Sequence, residues 1–366
     1  MRGRLPGLTV DELGAELGST ARARGVLRWL YAQPAVPVAL PARIAGVSER
    51  AWADFVGRVE WAPPTVVERR RSADGTAKYA LGFADAIVET VRIPARGRST
   101  VCVSSQAGCT RRCMFCATQT LGFRRHLTAA EMVAQFLVAR AEADADAPAR
   151  NVVFMGMGEP MDNLDEVLRA VRVLTQAPAP QLRAQSVTVS TSGVLPGMRR
   201  FLRECPASLA LSLNATTDET RARLMPHTRT WPIDQLLGLL RADAPRNPRR
   251  LHFIEYVLFD GVNDSDADAD RLVRLLDGVP ARINLIPHNP VFGSDLRAPS
   301  PARLLAFQAR VVAQDRVCLV RWPRGREIAA ACGQLVLATS PLGFAPAGLS
   351  LPPGNTPHPR ATAAAR

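Results

Sequence analysis

From about residue 100 the chain alternates between short apolar runs and amphipathic helical segments, and no other feature restricts its fold as strongly. Strands are predicted near 100–104, 151–155, 186–190, 207–213, 251–259, 282–286 and 317–322, with helical segments such as 127–142 and 163–175 between them. This alternation is the pattern of a parallel sheet, because parallel neighbours need a crossover that returns the chain to its starting end. Six such units and a closing strand predict an α/β fold built as an open, partial (β/α)6 barrel over 100–340. Residues 1–60 read as a small helical unit. Asp11 and Glu12 fall in the first turn of one helix, and Ala23, Val26, Leu27, Leu30 and Tyr31 form a buried stripe on the next. Residues 61–99 read as a β-rich, hairpin-like connector, with strands near 65–70, 78–83 and 86–94 around the turn Asp74-Gly75-Thr76. The Pro/Ala-rich segment 341–366 has no periodicity and is predicted to be a disordered tail.

Chemistry enters at Gly108-Cys-Thr-Arg-Arg-Cys-Met-Phe-Cys-Ala117. Cys109, Cys113 and Cys116 place three thiolates on one short loop, one fewer than the four that close a [4Fe–4S] cluster. The open iron can take the amino and carboxylate groups of S-adenosylmethionine (SAM), and one electron passed to its sulfonium then breaks it to a radical. The alternative is structural zinc with a fourth ligand such as His126. Zinc sets usually start from two short paired units, and the chain has no second one.

Other polar residues sit where the predicted strands end, which is where barrel sites are built. They are Gly158-Glu159-Pro160, Ser190-Thr-Ser-Gly193, Ser212-Leu213-Asn214 and Asn289-Pro290. Each alone is an ordinary turn or cap; on successive strands around one cysteine loop they read as a ligand site. Glu159 could take the SAM amino group. The net charge is +13, from 46 Lys+Arg against 33 Asp+Glu. Arginine clusters at Arg69–Arg71, Arg111-Arg112, Arg124-Arg125, Arg199-Arg200, Arg246 with Arg249-Arg250, and 321–326 suit phosphate, although arginines also simply face solvent. No secretory signal or membrane span is expected. Seven cysteines, four of them between Cys102 and Cys116, fit a reactive site in the reducing cytoplasm rather than a disulfide framework. Cys205 and Cys318 read as structural. Taken alone, Cys102 and Cys332 read as buried small hydrophobes and Glu89 as a solvent-facing carboxylate on an alternating strand.

Cys102-Val-Ser-Ser-Gln-Ala-Gly-Cys109, the triad, Gly122-Phe123 with Leu127-Thr128, Met155–Pro160, Ser190–Gly193, Asn284–Asn289 and Ala331-Cys-Gly-Gln-Leu335 resemble the RlmN/Cfr family of radical-SAM RNA methyltransferases. The resemblance runs from about residue 8 to 338 and includes Asp74-Gly-Thr and Glu89-Thr-Val-Arg-Ile-Pro94. It implies a [4Fe–4S] cluster on Cys109, Cys113 and Cys116. It implies SAM contacts from Gly158, Glu159, Ser190, Ser212, Leu213, Asn214 and Asn289. Cys332 would carry the methyl group, Cys102 would be its disulfide partner, and Glu89 would accept a proton. The implied substrate is structured RNA: carbon 2 of an adenosine in the peptidyl-transferase region of 23S rRNA, with transfer RNA as a second substrate. Such a base must be in a loop or flipped from its stack. An electron donor such as flavodoxin or ferredoxin is implied, and a monomer is the default. Carbon 8 methylation as in the Cfr branch, a paralogue with another RNA target and a non-catalytic zinc and RNA-binding protein are the alternatives. Ser212-Leu213-Asn214 stands where many relatives have Ser-Leu-His. Gln119 and the segment Met225–Pro232, including His227, also depart from the pattern.

Overall fold

A computed structural model describes residues 5–178, 180–248, 250–291 and 293–336, so the predicted tail lies outside the described residues. The N-terminal helices are α1 (Val10–Leu17), α2 (Thr20–Ala32) and α3 (Glu49–Val56). Thr9 caps α1 reciprocally: its hydroxyl accepts from the Glu12 N–H and the Glu12 carboxylate accepts from the Thr9 N–H, which satisfies two otherwise orphaned donors. The predicted α2 stripe is buried. The sequence reading missed α3, which is too short for a periodic signal. Trp52 and Phe55 anchor it, both buried, with ring centroids 5.5 Å apart, and the Trp52 indole donates to the Pro41 carbonyl at 2.8 Å.

One ten-stranded sheet carries the rest. Its antiparallel flank is β1 (Thr65–Arg71), β2 (Ala77–Phe83) and β3 (Ala86–Ala95), and β3 pairs antiparallel with β4 (Arg98–Cys102). Next along the chain, β5 (Gln106–Gly108) and β6 (Phe123–His126) pair as a separate two-stranded sheet that brackets the cysteine loop. The sequence reading missed this pair too. Then come α4 (Ala129–Ala141), β7 (Ala149–Phe154), α5 (Leu164–Thr175), β8 (Val187–Thr191), α6 (Leu195–Glu204) and β9 (Ser208–Ser212). The chain continues through α7 (Asp218–Leu224), α8 (Ile233–Asp243), β10 (His252–Leu258), α9 (Asp266–Leu275), β11 (Ala281–Pro287), α10 (Pro301–Val312) and β12 (Cys318–Val320). From β4 through β7, β8, β9, β10 and β11 to β12 every pairing is parallel, and the sheet order β1-β2-β3-β4-β7-β8-β9-β10-β11-β12 leaves it open. The predicted strands fall on these, with ends displaced by one or two residues.

Helix α4 sits against this sheet with eleven of its residues buried, from Ala129 to Ala139. Its Gln135 side chain bonds both backbone groups of Ser104, accepting from N–H at 2.7 Å and donating to the carbonyl at 3.0 Å, so the chain leaving β4 is held as if by a further strand. The Ser104 hydroxyl donates to the Glu89 carbonyl at 2.6 Å and accepts from the Met157 N–H at 2.9 Å. That one residue thus fixes β3 relative to the turn that follows β7. The N-terminal unit packs on the same helix: a Cβ added to Gly7 would lie 2.6 Å from the Ala130 nitrogen.

The cysteine loop starts from a glycine that no other residue can replace. Gly108 has φ +77°, and a Cβ there would stand 1.8 Å from the Gly122 carbonyl oxygen, which accepts the Cys109 N–H at 3.0 Å. Gly97 has a similar φ of +71° and open space around it. Gly97→Ala should therefore cost only left-handed strain, about 1 kcal/mol, whereas Gly108→Ala should cost about 3 kcal/mol or more and loosen the loop. Urea denaturation of the two variants checks this, and equal losses would remove the close approach as the cause.

Candidate active site

Parallel pairing brings the strand ends to one rim, and an open cavity of about 250 Å³ lies there. Cys102, Cys109, Cys113, Cys116, Gly158, Glu159, Ser190, Ser212, Asn214, Asn289 and Cys332 line it together. Glu89 and Leu213, also singled out in the sequence, are not among the lining residues. Leu213 is fully buried, its N–H donating to the Glu255 carbonyl and its own carbonyl accepting from Arg221. Glu89 is buried against the Lys78 ammonium, 2.8 Å away, and its second oxygen accepts the Val336 N–H at 2.8 Å. The solvent-facing reading of Glu89 is thereby corrected: the C-terminal segment covers that part of β3. Nor is Cys332 the buried hydrophobe that an isolated cysteine suggests, because it is exposed at the cavity. Cys205 and Cys318 are buried, as expected of structural residues.

The turn after β7 is built of forced glycines. A Cβ on Gly158 (φ +105°) would meet the Gln106 nitrogen at 2.7 Å, and one on Gly156 would meet the Val103 oxygen at 2.8 Å. The same Gln106 accepts the Glu159 N–H at 3.0 Å and turns the carboxylate inward. One Glu159 oxygen takes the Ser192 N–H (2.8 Å) and hydroxyl (2.6 Å), and the other takes the Met161 N–H at 3.0 Å. Burial pushes its carboxyl up, and the Ser192 bonds act against that. Asn214 sits at φ +57°, a conformation Asn tolerates better than most residues, and its Oδ1 accepts the Val257 N–H at 2.9 Å. An asparagine at the third position of Ser-Leu-Asn therefore closes β9 onto β10.

Burial dominates the thiols. It pushes Cys102 and Cys109 up to about 12 and Cys113 and Cys116 above the ordinary thiol value; Cys332, open to the cavity on one side, is raised as well because the surrounding wall strips water from its thiol. Neighbouring Cys102, Cys116 and Glu255 add to the effect at Cys332. The chain thus holds its thiols neutral, and iron binding there would displace protons. The three thiols line one cavity, and their chemistry suits a three-thiolate cluster with an adjoining small-molecule site, while no three His, Cys, Asp or Glu among the described residues are gathered to hold a single metal ion. The Asn289 amide donates to the Cys332 carbonyl at 3.0 Å, while its buried Oδ1 has no donor among the described residues, as a ligand amine would supply. His126, the fourth ligand of the zinc alternative, instead pairs with Gln106 at 3.2 Å and lies tilted against Phe123, ring centroids 5.1 Å apart. It is not among the cavity-lining residues.

Three more polar residues shape the cavity. Arg221 is buried and bonds the Ser192 carbonyl (2.5 Å), the Leu213 carbonyl (3.2 Å) and the Ser212 carbonyl (3.4 Å), tying the ends of β8 and β9. Burial lowers its guanidinium to about 10. Nothing in the sequence distinguishes it from the other arginines. Glu255 lines the cavity with its Oε1 held by the Asn284 amide at 2.8 Å, and Asn284 accepts from Arg321 at 2.9 Å. Burial raises Glu255 to about 7 against the pull of Asn284 and Arg321. Its signal was available, since it is a lone acid inside the apolar run 252–258. His288 also lines the cavity, lowered to about 4 by burial, so its ring is neutral near pH 7.

The arginine pairs beside the cysteine loop divide their work. Arg111 bonds Asp162, and Arg125 pairs with Asp85 and Glu131, so both are structural. Arg112 and Arg124 are exposed, as are Met114 and Phe123.

The Radical SAM superfamily model matches residues 103–273. Curated proteins named dual-specificity RNA methyltransferase RlmN are similar over most of the chain. The one from Geobacter sulfurreducens is 42% identical over 336 residues, covering 90% of this chain and 91% of its own. The one from Syntrophobacter fumaroxidans is 46% identical over 273 residues, covering 74% and 80%. A crystal structure of a radical SAM methyltransferase from Sphaerobacter thermophilus superposes with a TM-score of 0.83 at 40% identity, covering 91% of this chain and 99% of that one. With that similarity spanning nearly the whole chain and the same fold beneath it, the protein belongs to the RlmN family of radical-SAM RNA methyltransferases, whose cofactors are a [4Fe–4S] cluster and SAM.

Proposed function

We propose that the protein methylates carbon 2 of an adenosine in structured RNA, in the peptidyl-transferase region of 23S rRNA and also in transfer RNA, through an S-methylcysteine at Cys332. The observation that carries this reading is the joint placement of Cys332, Cys102 and the triad on one open cavity. Cys109, Cys113 and Cys116 hold the cluster. Gly158, Glu159, Ser190, Ser212, Asn214 and Asn289 hold SAM, with Leu213 supporting Ser212 from behind. When bound, the cluster and SAM supply a hydrogen-abstracting radical, which suits a carbon too poor as a nucleophile to displace a SAM methyl directly.

The chain's own residues do the rest. Cys332 carries the methyl group and, through it, bonds the base. The proton lost from the adenine is assigned to Glu89 by the resemblance, although its carboxylate is engaged by Lys78 and the Val336 N–H and does not line the cavity. Cys102 attacks the Cys332 sulfur, the carbon that leaves takes up a proton to complete the methyl group, and a Cys102–Cys332 disulfide remains that the reducing cytoplasm reopens. An electron donor of the flavodoxin or ferredoxin kind feeds the cluster, and the protein acts as a cytoplasmic monomer; no helix among the described residues is long and apolar enough to cross a membrane. In this reading residues 1–60 are an accessory RNA-binding unit and 61–99 a β-rich connector carrying Glu89. Residues 100–340 are the catalytic barrel.

Cys332→Ala should abolish product, and Cys102→Ala should trap a covalent protein–RNA adduct that migrates with the protein on a denaturing gel. Nucleoside mass spectrometry against 2-methyl- and 8-methyladenosine standards reads the product. Normal turnover by Cys102→Ala would refute the resolution step, and 8-methyladenosine would move the chain to the Cfr branch.

Arg112 and Arg124 beside the loop suit the RNA backbone, with Met114 and Phe123 as apolar contacts for bases. The Arg112→Ala/Arg124→Ala double variant should weaken RNA binding and lower the slope of log affinity against log salt by about 1–2, at unchanged iron content. Filter binding over a salt series checks this; an unchanged slope would place the RNA elsewhere.

A further inference from the structure

The sequence contains a single lysine, Lys78, among its 46 Lys+Arg residues. A chain that uses arginine at every other cationic position keeps its one ammonium where almost no water reaches it: the Lys78 side chain is 3% exposed and that of Glu89 2%. The two residues are diagonal neighbours on one face of the β2–β3 pair, since Lys78 lies opposite Val91 and Ala80 opposite Glu89. A buried ion pair gives little net stability, because desolvating both charges offsets their attraction. Its position therefore matters more than its energy.

That position is the segment carrying Cys332. Lys78 Nζ donates to the Ala329 carbonyl at 3.1 Å, and Glu89 Oε2 accepts the Val336 N–H at 2.8 Å. The ion pair thus fastens both ends of 329–336, with Cys332 between them. This stretch is neither helix nor strand and takes left-handed φ at Ala329 (+50°) and Gly333 (+81°), so it depends on ties from outside. Inside the span, Asn289 donates to the Cys332 carbonyl (3.0 Å), the Ala117 N–H to the Gly333 carbonyl (2.7 Å) and the Thr118 hydroxyl to the Leu335 carbonyl (2.8 Å). A lysine suits the outer tie because its compact ammonium can direct separate donors to a carboxylate and a carbonyl. The wider guanidinium fork matches a carboxylate face instead.

We infer that Lys78 is a positioning residue: together with Glu89 it latches both ends of the 329–336 segment and so sets where the Cys332 sulfur stands in the cavity. The inference rests on the reading of Cys332 as the methyl carrier. It gives Glu89 a second duty besides accepting a proton, and it gives the reaction a residue that touches neither SAM nor RNA.

The test uses cluster-loaded full-length protein and compares Lys78→Met, Lys78→Arg and the Lys78→Met/Glu89→Gln double variant, which leaves no unpaired buried charge and so separates latching from folding. Peptide-resolved iodoacetamide labelling of Cys332 and amide exchange across 329–336 should both quicken about tenfold in all three, with buried Cys318 unchanged as the control. Turnover on RNA should fall about tenfold or more with its KM unchanged, as expected for a misplaced reacting group. Unchanged labelling and exchange at the segment, or increases matched at Cys318, would overturn the latch. An arginine variant indistinguishable from wild type would overturn the demand for an ammonium. Labelling and exchange need no methyl transfer. If Cys332→Ala still made product, the carrier reading would fall while these results kept their meaning.

Discussion

The parallel pairing of β4 with β7 and of each later strand with its neighbour is the constraint on which the rest depends. Parallel strands put every carboxyl end on the same rim. Here that rim gathers Cys102 from β4, the Gly156–Glu159 turn after β7, Ser190 from β8, Ser212 from β9, Asn214 just after it and Asn289 after β11. No local sequence preference could bring together residues so far apart in the chain. The sheet does it, and the two glycine turns at Gly108 and Gly158 set how closely the cysteine loop approaches.

Within that rim the electrostatics are those of desolvation. Thiols and carboxyls alike are pushed toward their neutral forms, Glu255 and Glu159 upward and the cysteines well above their solution values. Arg221, a cation buried beside them, is pushed down and spends its donors on backbone carbonyls. Such a cavity favours a cluster whose iron replaces thiol protons, and a ligand that brings its own amine to Asn289. Glu159 reaches the cavity already bonded to Ser192 and Met161, so its orientation is fixed before any ligand arrives.

Much of this was legible in the sequence because the barrel repeats. Alternating apolar runs located the parallel strands to within one or two residues, and the polar ends of those runs named most of the lining. What escaped was short or non-periodic. Helix α3 shows only two large apolar residues inward, and β5 and β6 have three and four residues. Arg221 looks like any other arginine until Gly193 and the ends of two strands close over it. Glu89 reads as a surface residue because its strand alternates; its burial is imposed by residues 329–336, with Val336 lying 247 residues further along the chain. The arginine clusters misled in part for the same reason, since Arg111 and Arg125 are taken by Asp162, Asp85 and Glu131.

The central claim is that the methyl group reaches RNA by way of Cys332 and not directly from SAM. Its most direct test supplies SAM with a fully deuterated methyl group to the reconstituted enzyme and weighs both the Cys332 peptide and the methyladenosine formed. Passage through a Cys332 methyl that gives up one hydrogen predicts labelled methyl on that sulfur and a product retaining two of the three deuterons. A product carrying all three deuterons, with no label on Cys332, would contradict the account.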